Sequence, residues 1–312
     1  MPLCETENPF RVPGRWLKGA LHTHTTASDG RLSPLALAKR YRDLDYDFLF
    51  FTDHNRVTRL DAPLDGILTL PGIELGVSTR RPHQVWDFVG LMIDPDVTVP
   101  GRFASPRDVC ECVRAHSALC VLAHPYWSQL SGKDLTRIDG VPLVEVWNTG
   151  SELETGRGNA EYQWDWALGA GVRLNGVAVD DCHSRVDDTG GAWVMVKSAE
   201  LSPGAIVDAL RRGRFYSSCG PEMRDVRLTD DALEVETSAC VAVGFVADRQ
   251  KGARVVAGPG DELTSARCVF RGGERYVRVQ VLDAHGRKAW TNPFHLTWPP
   301  VPPASDAQPD ER

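Results

Sequence analysis

The segment DFLFFTDHN, residues 47–55, is apolar at four consecutive positions, Phe48 to Phe51, and then turns to Thr52, Asp53 and His54. A strand with one wet face alternates; a strand covered on both faces does not. The run therefore predicts a strand in a largely parallel, covered sheet. Six further runs follow the same rule: GILTL (66–70), DFVGLMI (87–93), LCVLA (119–123), LVEVW (143–147), GVAV (176–179) and WVMV (193–196). Helix signals lie between them. Ser33-Pro34, Ser105-Pro106 and Ser202-Pro203 each place a capping hydroxyl before a proline at the first helical position, and Gly213 fits a helix stop. NAEYQWDWALGAG, 159–171, supplies a fourth helix. Alternation of this kind predicts an α/β fold, a βα barrel or a wound sheet.

Beyond residue 222 the pattern changes. Short β-rich stretches such as ALEVETS, VAVGFVA and RYVRVQVLD succeed one another without a helix, which predicts a small antiparallel β domain over 223–298. Strict alternation in RYVRVQV predicts one dry face and one wet face. Residues 1–15 read as an N-terminal arm, 16–222 as the main domain, and the proline-rich 299–312 as a disordered tail.

Of the 312 residues, 42% are hydrophobic and 25% charged, and the net charge is −7. That balance argues against nonspecific binding to nucleic acid or to an acidic membrane, and leaves a small anionic substrate open. No segment has signal-peptide or membrane-span character, and the eight cysteines are scattered without a CxxC pair, so a reducing cytoplasm is the expected location. The oligomeric state is left open.

The ends of the apolar runs carry the chemistry. In LHTHTTASDG, residues 21–30, His22 and His24 stand two apart, so on a strand both imidazoles face one way. His54 follows the DFLFF run, Glu74 the GILTL run and His124 the LCVLA run. Asp181 and His183 form another two-apart pair, and Asp29 lies within folding distance of the first pair. Five of nine histidines thus gather on one rim with carboxylates. Imidazole mixed with carboxylate suits Zn, Mn or Fe, and the donors are too many for one tetrahedral ion. Two or three divalent ions are expected, with Glu74 bridging. Asp53 faces the opposite way and is expected to fix the local turn. Cys182 reads as packing, and His116, His285 and His295 as structural. Asn148 is a candidate contact of the substrate or of a ligand, and Trp127 a candidate pocket residue.

LHTHTTASDG, FTDHN, PGIEL, LAHP and DDCHS resemble, in order, the landmarks of the polymerase-and-histidinol-phosphatase (PHP) superfamily, over residues 16–222. The β-rich remainder looks like that of the carbaryl hydrolase-like branch. The resemblance implies a distorted seven-stranded (βα) barrel whose metal ligands are His22, His24, Asp29, His54, Glu74, His124, Asp181 and His183. One position departs from the pattern. The family commonly has a histidine where WDFVG places Asp87, which would favour a harder ion there. His83, four residues earlier, could substitute only by rearrangement of its loop. The implied activity is hydrolysis of a small phosphomonoester by a metal-bound hydroxide. His54, Asp29 or His83 would protonate the leaving oxygen, and Arg185 and Arg157 are candidate phosphate clamps. Two alternatives remain: the same site could cleave a carbamate, ester or amide, or it could serve a noncatalytic metal-dependent binding or regulatory module. A nuclease role is disfavoured because no basic groove accompanies the motifs.

Overall fold

The computed structural model describes residues 2–80 and 83–299; the expected tail lies outside them apart from Pro299. In chain order the first half comprises β1 (Leu3–Cys4), β2 (Arg15–Ala20), α1 (Pro34–Asp43), β3 (Phe48–Phe51), β4 (Leu68–Arg80), β5 (His83–Ile93), α2 (Pro106–His116), β6 (Ser117–Leu122), α3 (Gly132–Leu135), β7 (Leu143–Asn148) and α4 (Thr149–Thr155). There follow α5 (Glu161–Gly169), β8 (Asn175–Val179), β9 (Trp193–Ser198), α6 (Pro203–Arg211) and β10 (Phe215–Ser218). Strands alone complete the chain: β11 (Met223–Leu228), β12 (Ala232–Cys240), β13 (Ala242–Ala247), β14 (Gly252–Val256), β15 (Leu263–Val269), β16 (Tyr276–Leu282), β17 (Lys288–Thr291) and β18 (Phe294–Thr297).

The result is a mixed α/β fold dominated by one 15-stranded sheet; β11, β12 and β15 form a second sheet of three. The strand Phe48–Phe51 behaves as its composition dictates. All four side chains are buried, Phe48 and Phe50 in one core with Leu17 and Leu70, Leu49 and Phe51 in another with Leu37, Ala38 and Tyr41. Burying each such side chain contributes about 1.5–3 kcal/mol. Helix α1 supplies the second cover. Its apolar stripe, Leu37, Ala38 and Tyr41, meets the strand, and Ser33 Oγ accepts the amide of Ala36 at 3.3 Å. Ser105 and Ser202 cap α2 and α6 in the same way.

Strands β2 to β8 lie side by side in chain order, but not all are parallel as expected. β4 and β5 form a long antiparallel hairpin, β5 also runs against β6, and β9 runs against β2. With only two residues between β4 and β5, a direct hairpin needs no crossover helix. Nor does the sheet close. Between β8 and β2 only an isolated bridge, Thr23 with Cys182, spans the gap, flanked by Asp181 N donating to His22 O and His24 N to Cys182 O, each at 3.0 Å. The expected closed barrel is therefore an open sheet: β8 is its last strand, and β2, already paired with β9 and β3, meets β8 only through that bridge among the described residues.

Apart from β11, β12 and β15, the β-rich remainder joins the same sheet, because β17 pairs with β10, which pairs with β9. The N-terminal arm is tied in as well, β1 pairing with β18. The expected wet face of β16 is covered: Arg278 is buried, its guanidinium 4.6 Å from the Trp164 ring and paired with Asp165 of α5 at 2.7 Å. Alternation there marks an amphipathic arginine under a helix rather than a solvent face. No helix among the described residues is long and apolar enough to cross a membrane.

Candidate metal centre

The polar ends of β2, β3, β6 and β8, and the middle of β4, meet at one place. Glu74 stands mid-strand rather than at a strand end, because β4 continues into its hairpin. It is the hub of the site. Its Oε2 lies 3.1 Å from both His22 Nε2 and His24 Nε2 and 3.2 Å from His54 Nδ1, while Oε1 lies 3.2 Å from His124 Nε2. Asp181 Oδ1 is 3.2 Å from His22 Nε2 and 3.0 Å from His24 Nε2. Asp29 Oδ1 faces His183 Nε2 at 3.3 Å, with His24 and His54 at 3.8 Å. The rings of His54 and His183 stack on His24 at 4.5 and 4.2 Å.

Local backbone conformation serves this convergence. His124 and Asp181 have φ of +28° and +51°, a region that side-chain-bearing residues adopt at a cost and that clusters at functional sites. In the SDG turn a Cβ on Gly30 would come within 2.4 Å of the His24 carbonyl, so only glycine lets the turn fold back over the first pair. Asp53 does what its orientation predicts: it accepts from Thr25 N and Oγ1, Ser28 Oγ and Thr58 Oγ1 at 2.6–2.8 Å, fixing both polar loops.

The arrangement is short of positive charge. Burial alone would lower the proton affinity of His24 and His124; Glu74, joined by Asp181 at His24, outweighs it and holds each at about 9. Burial opposes ionisation of Glu74 too, yet the imidazoles of His22 and His124 keep its carboxyl well below the usual range. Burial, reinforced by Glu74, pushes Asp87 up to about 7. Glu74 Oε2 and Asp181 Oδ1 are buried without any hydrogen-bond donor, although imidazole nitrogens lie about 3 Å away. Buried acceptors that converge in this way attract a cation between them. Three overlapping donor groups fit such ions: His24, Asp29, His54 and His183; His22, His24, Glu74 and Asp181; and Glu74, Asp87 and His124. Divalent ions fit these residues by geometry and by donor chemistry.

An open cleft of about 600 Å³ lies over the cluster. Besides the cluster itself, Arg185, Trp127, Gly150, Ser151 and Glu154 line it. Arg185 donates to Asp29 Oδ2 at 2.7 Å. His83 is not brought in. It sits exposed at the far end of the hairpin opposite Arg80, four residues along β5 from Asp87, or about 13 Å at strand rise, and does not line the cleft. Arg157 also lies off the cleft, on the exposed turn after α4.

Glu145 was not foreseen from the sequence. It accepts from His22 Nδ1 at 2.6 Å, His124 N at 2.8 Å and Asn148 Nδ2 at 2.9 Å. Asn148 also donates to Asp181 Oδ2 at 3.1 Å and caps α4. The available signal was an acidic residue inside the apolar run LVEVW, where an unpaired charge would be costly. Gly150, Ser151 and Glu154, on α4, had no signal of their own.

No family model matches the chain. Over 81 residues it is 36% identical to the 5'-3' exoribonuclease Rnm of Salmonella typhimurium, a match covering 24% of this chain and 27% of that relative's length. Among solved structures it is similar to a two-domain protein containing a predicted PHP-like metal-dependent phosphoesterase from Bacteroides vulgatus, with 16% identity, a TM-score of 0.49, and coverage of 89% of this chain and 95% of that one. It is also similar to an amidohydrolase from Chromobacterium violaceum, with 17% identity, a TM-score of 0.37, and coverage of 55% and 89%.

Proposed function

We propose that the chain is a metal-dependent hydrolase of the PHP superfamily, a phosphoesterase that acts on a small phosphomonoester. The observation that carries this reading is the pair of buried, donorless oxygens, Glu74 Oε2 and Asp181 Oδ1, ringed by imidazoles. The sequence motifs and the run of neighbouring strands β2 to β8 support the superfamily.

His22, His24, Asp29, His54, Glu74, His124, Asp181 and His183 would hold the ions. When bound, such ions supply positive charge to the phosphoryl oxygens and lower the pKa of a water. The chain's own groups do the rest. Arg185, anchored on Asp29, orients a peripheral phosphate oxygen by a charge-assisted bond. His54 is half-open to the cleft and, where no ion holds it, can relay a proton to the leaving oxygen. Trp127 and Glu154 also line the cleft, where the leaving group would sit.

The test is metal content of protein purified without added metal, followed by turnover of phosphomonoesters, a 5'-phosphorylated oligoribonucleotide, aryl esters and carbamates. The oligoribonucleotide is included because of the partial similarity to an exoribonuclease. Chelator-sensitive turnover of monoesters is expected. Turnover of carbonyl substrates alone, or none at full metal occupancy, overturns the proposal.

A further inference from the structure

We propose that Glu74, Asp87 and His124 form a subsite selective for a hard divalent cation, manganese or magnesium, beside histidine-rich subsites that take zinc. The inference rests on the metal-dependent reading above, and concerns what distinguishes this chain within it.

The three donor groups grade from nitrogen to oxygen. The first offers three imidazoles and one carboxylate, the second two of each, and the third one imidazole and two carboxylates. Imidazole-rich sites suit zinc, whereas carboxylate-rich sites suit manganese and magnesium, and magnesium also keeps several waters. The third group lines the open cleft, where waters can complete its coordination.

Asp87 is built into this place. It pairs across the hairpin with Gly76, and a Cβ at Gly76 would lie 1.6 Å from Asp87 Oδ1. The carboxylate therefore lies over the glycine, and its Oδ2 faces His124 Nε2 at 3.8 Å. No hydrogen bond reaches that carboxylate among the described residues, although its side chain is only 14% exposed. Two independent contacts fix the imidazole: Ser128 Oγ on Nδ1 at 2.9 Å, and the Trp127 ring edge at 5.0 Å. A carboxylate without a protein donor, a fixed imidazole and Glu74 Oε1, which faces that imidazole at 3.2 Å, leave a place for a cation between them.

The full-length protein, stripped with chelator and dialysed, is loaded with zinc and then titrated with Mn2+. Metal stoichiometry and the electron paramagnetic resonance spectrum of bound manganese are followed. Zinc should fill two places per chain, and one further manganese should then bind. Asp87→Asn should keep both zincs and weaken that manganese about tenfold or more. Asp87→His should admit a third zinc and abolish manganese binding. Three zincs in the unmodified protein with no room for manganese, or manganese affinity unchanged in folded Asp87→Asn, overturns the proposal. Two bound zincs without any manganese would refute the hard subsite alone; failure to bind any divalent ion would remove the metal-dependent reading with it.

Discussion

Glu145→Gln alters one side chain behind the cage and should cost it most of its grip on cations. A carboxylate can only accept, so the 2.6 Å contact places a proton on His22 Nδ1 and turns Nε2 toward Glu74 and Asp181. Glutamine must keep its oxygen where His124 N and Asn148 Nδ2 donate, at 2.8 and 2.9 Å. Its NH2 group then faces His22 Nδ1 and forces the other tautomer, which aims an N–H into the middle of the donor set. Loss of such an outer partner weakens metal binding by about 10- to 100-fold. That corresponds to about 1.4–2.7 kcal/mol at about 1.36 kcal/mol per tenfold. Competition against a chromogenic chelator measures the affinity, with circular dichroism confirming the fold. Wild-type affinity in a folded Glu145→Gln protein would show that the tautomer of His22 is set by something else.

Three other outcomes are expected. His83→Ala should leave metal content and kcat/KM within about twofold of wild type, since surface changes away from a site are usually near neutral; steady-state kinetics decide it. Arg185→Ala should lower kcat/KM about 10- to 100-fold, mostly through KM, as loss of a charged hydrogen bond to a phosphate oxygen would. Asp53→Ala strands four donors, Thr25 N and Oγ1, Ser28 Oγ and Thr58 Oγ1, and should lower stability by about 3 kcal/mol or more, read from the urea midpoint.

Local rules carried far in this chain because its covered strands advertise themselves. Phe48–Phe51 could not be half-wet, and each Ser-Pro pair marked a helix start that its hydroxyl does cap. The histidines and acids at the run ends were legible for the same reason: abrupt polarity after a dry strand is expensive unless it is used. What escaped was relational. Nothing in DFVGLMI says that it runs antiparallel to both neighbours, since a doubly covered strand looks the same in either direction. His83 resembled a candidate only while the direction of the hairpin was unknown. Arg278 looked wet because alternation records the polarity of a side chain and not the helix laid over it. Glu145 was hidden in plain view, as its role depends on a histidine 123 positions away.

The pairing of β17 with β10, and through β9 with β2, has a consequence for how the chain comes apart. The strand that delivers the two leading histidines is stitched, edge to edge, to strands laid down last. Cutting the chain after residue 222 would leave β10 with a raw border, which invites self-association rather than an active fragment. Amide hydrogens of β2 and β16 should accordingly exchange together, in one opening event.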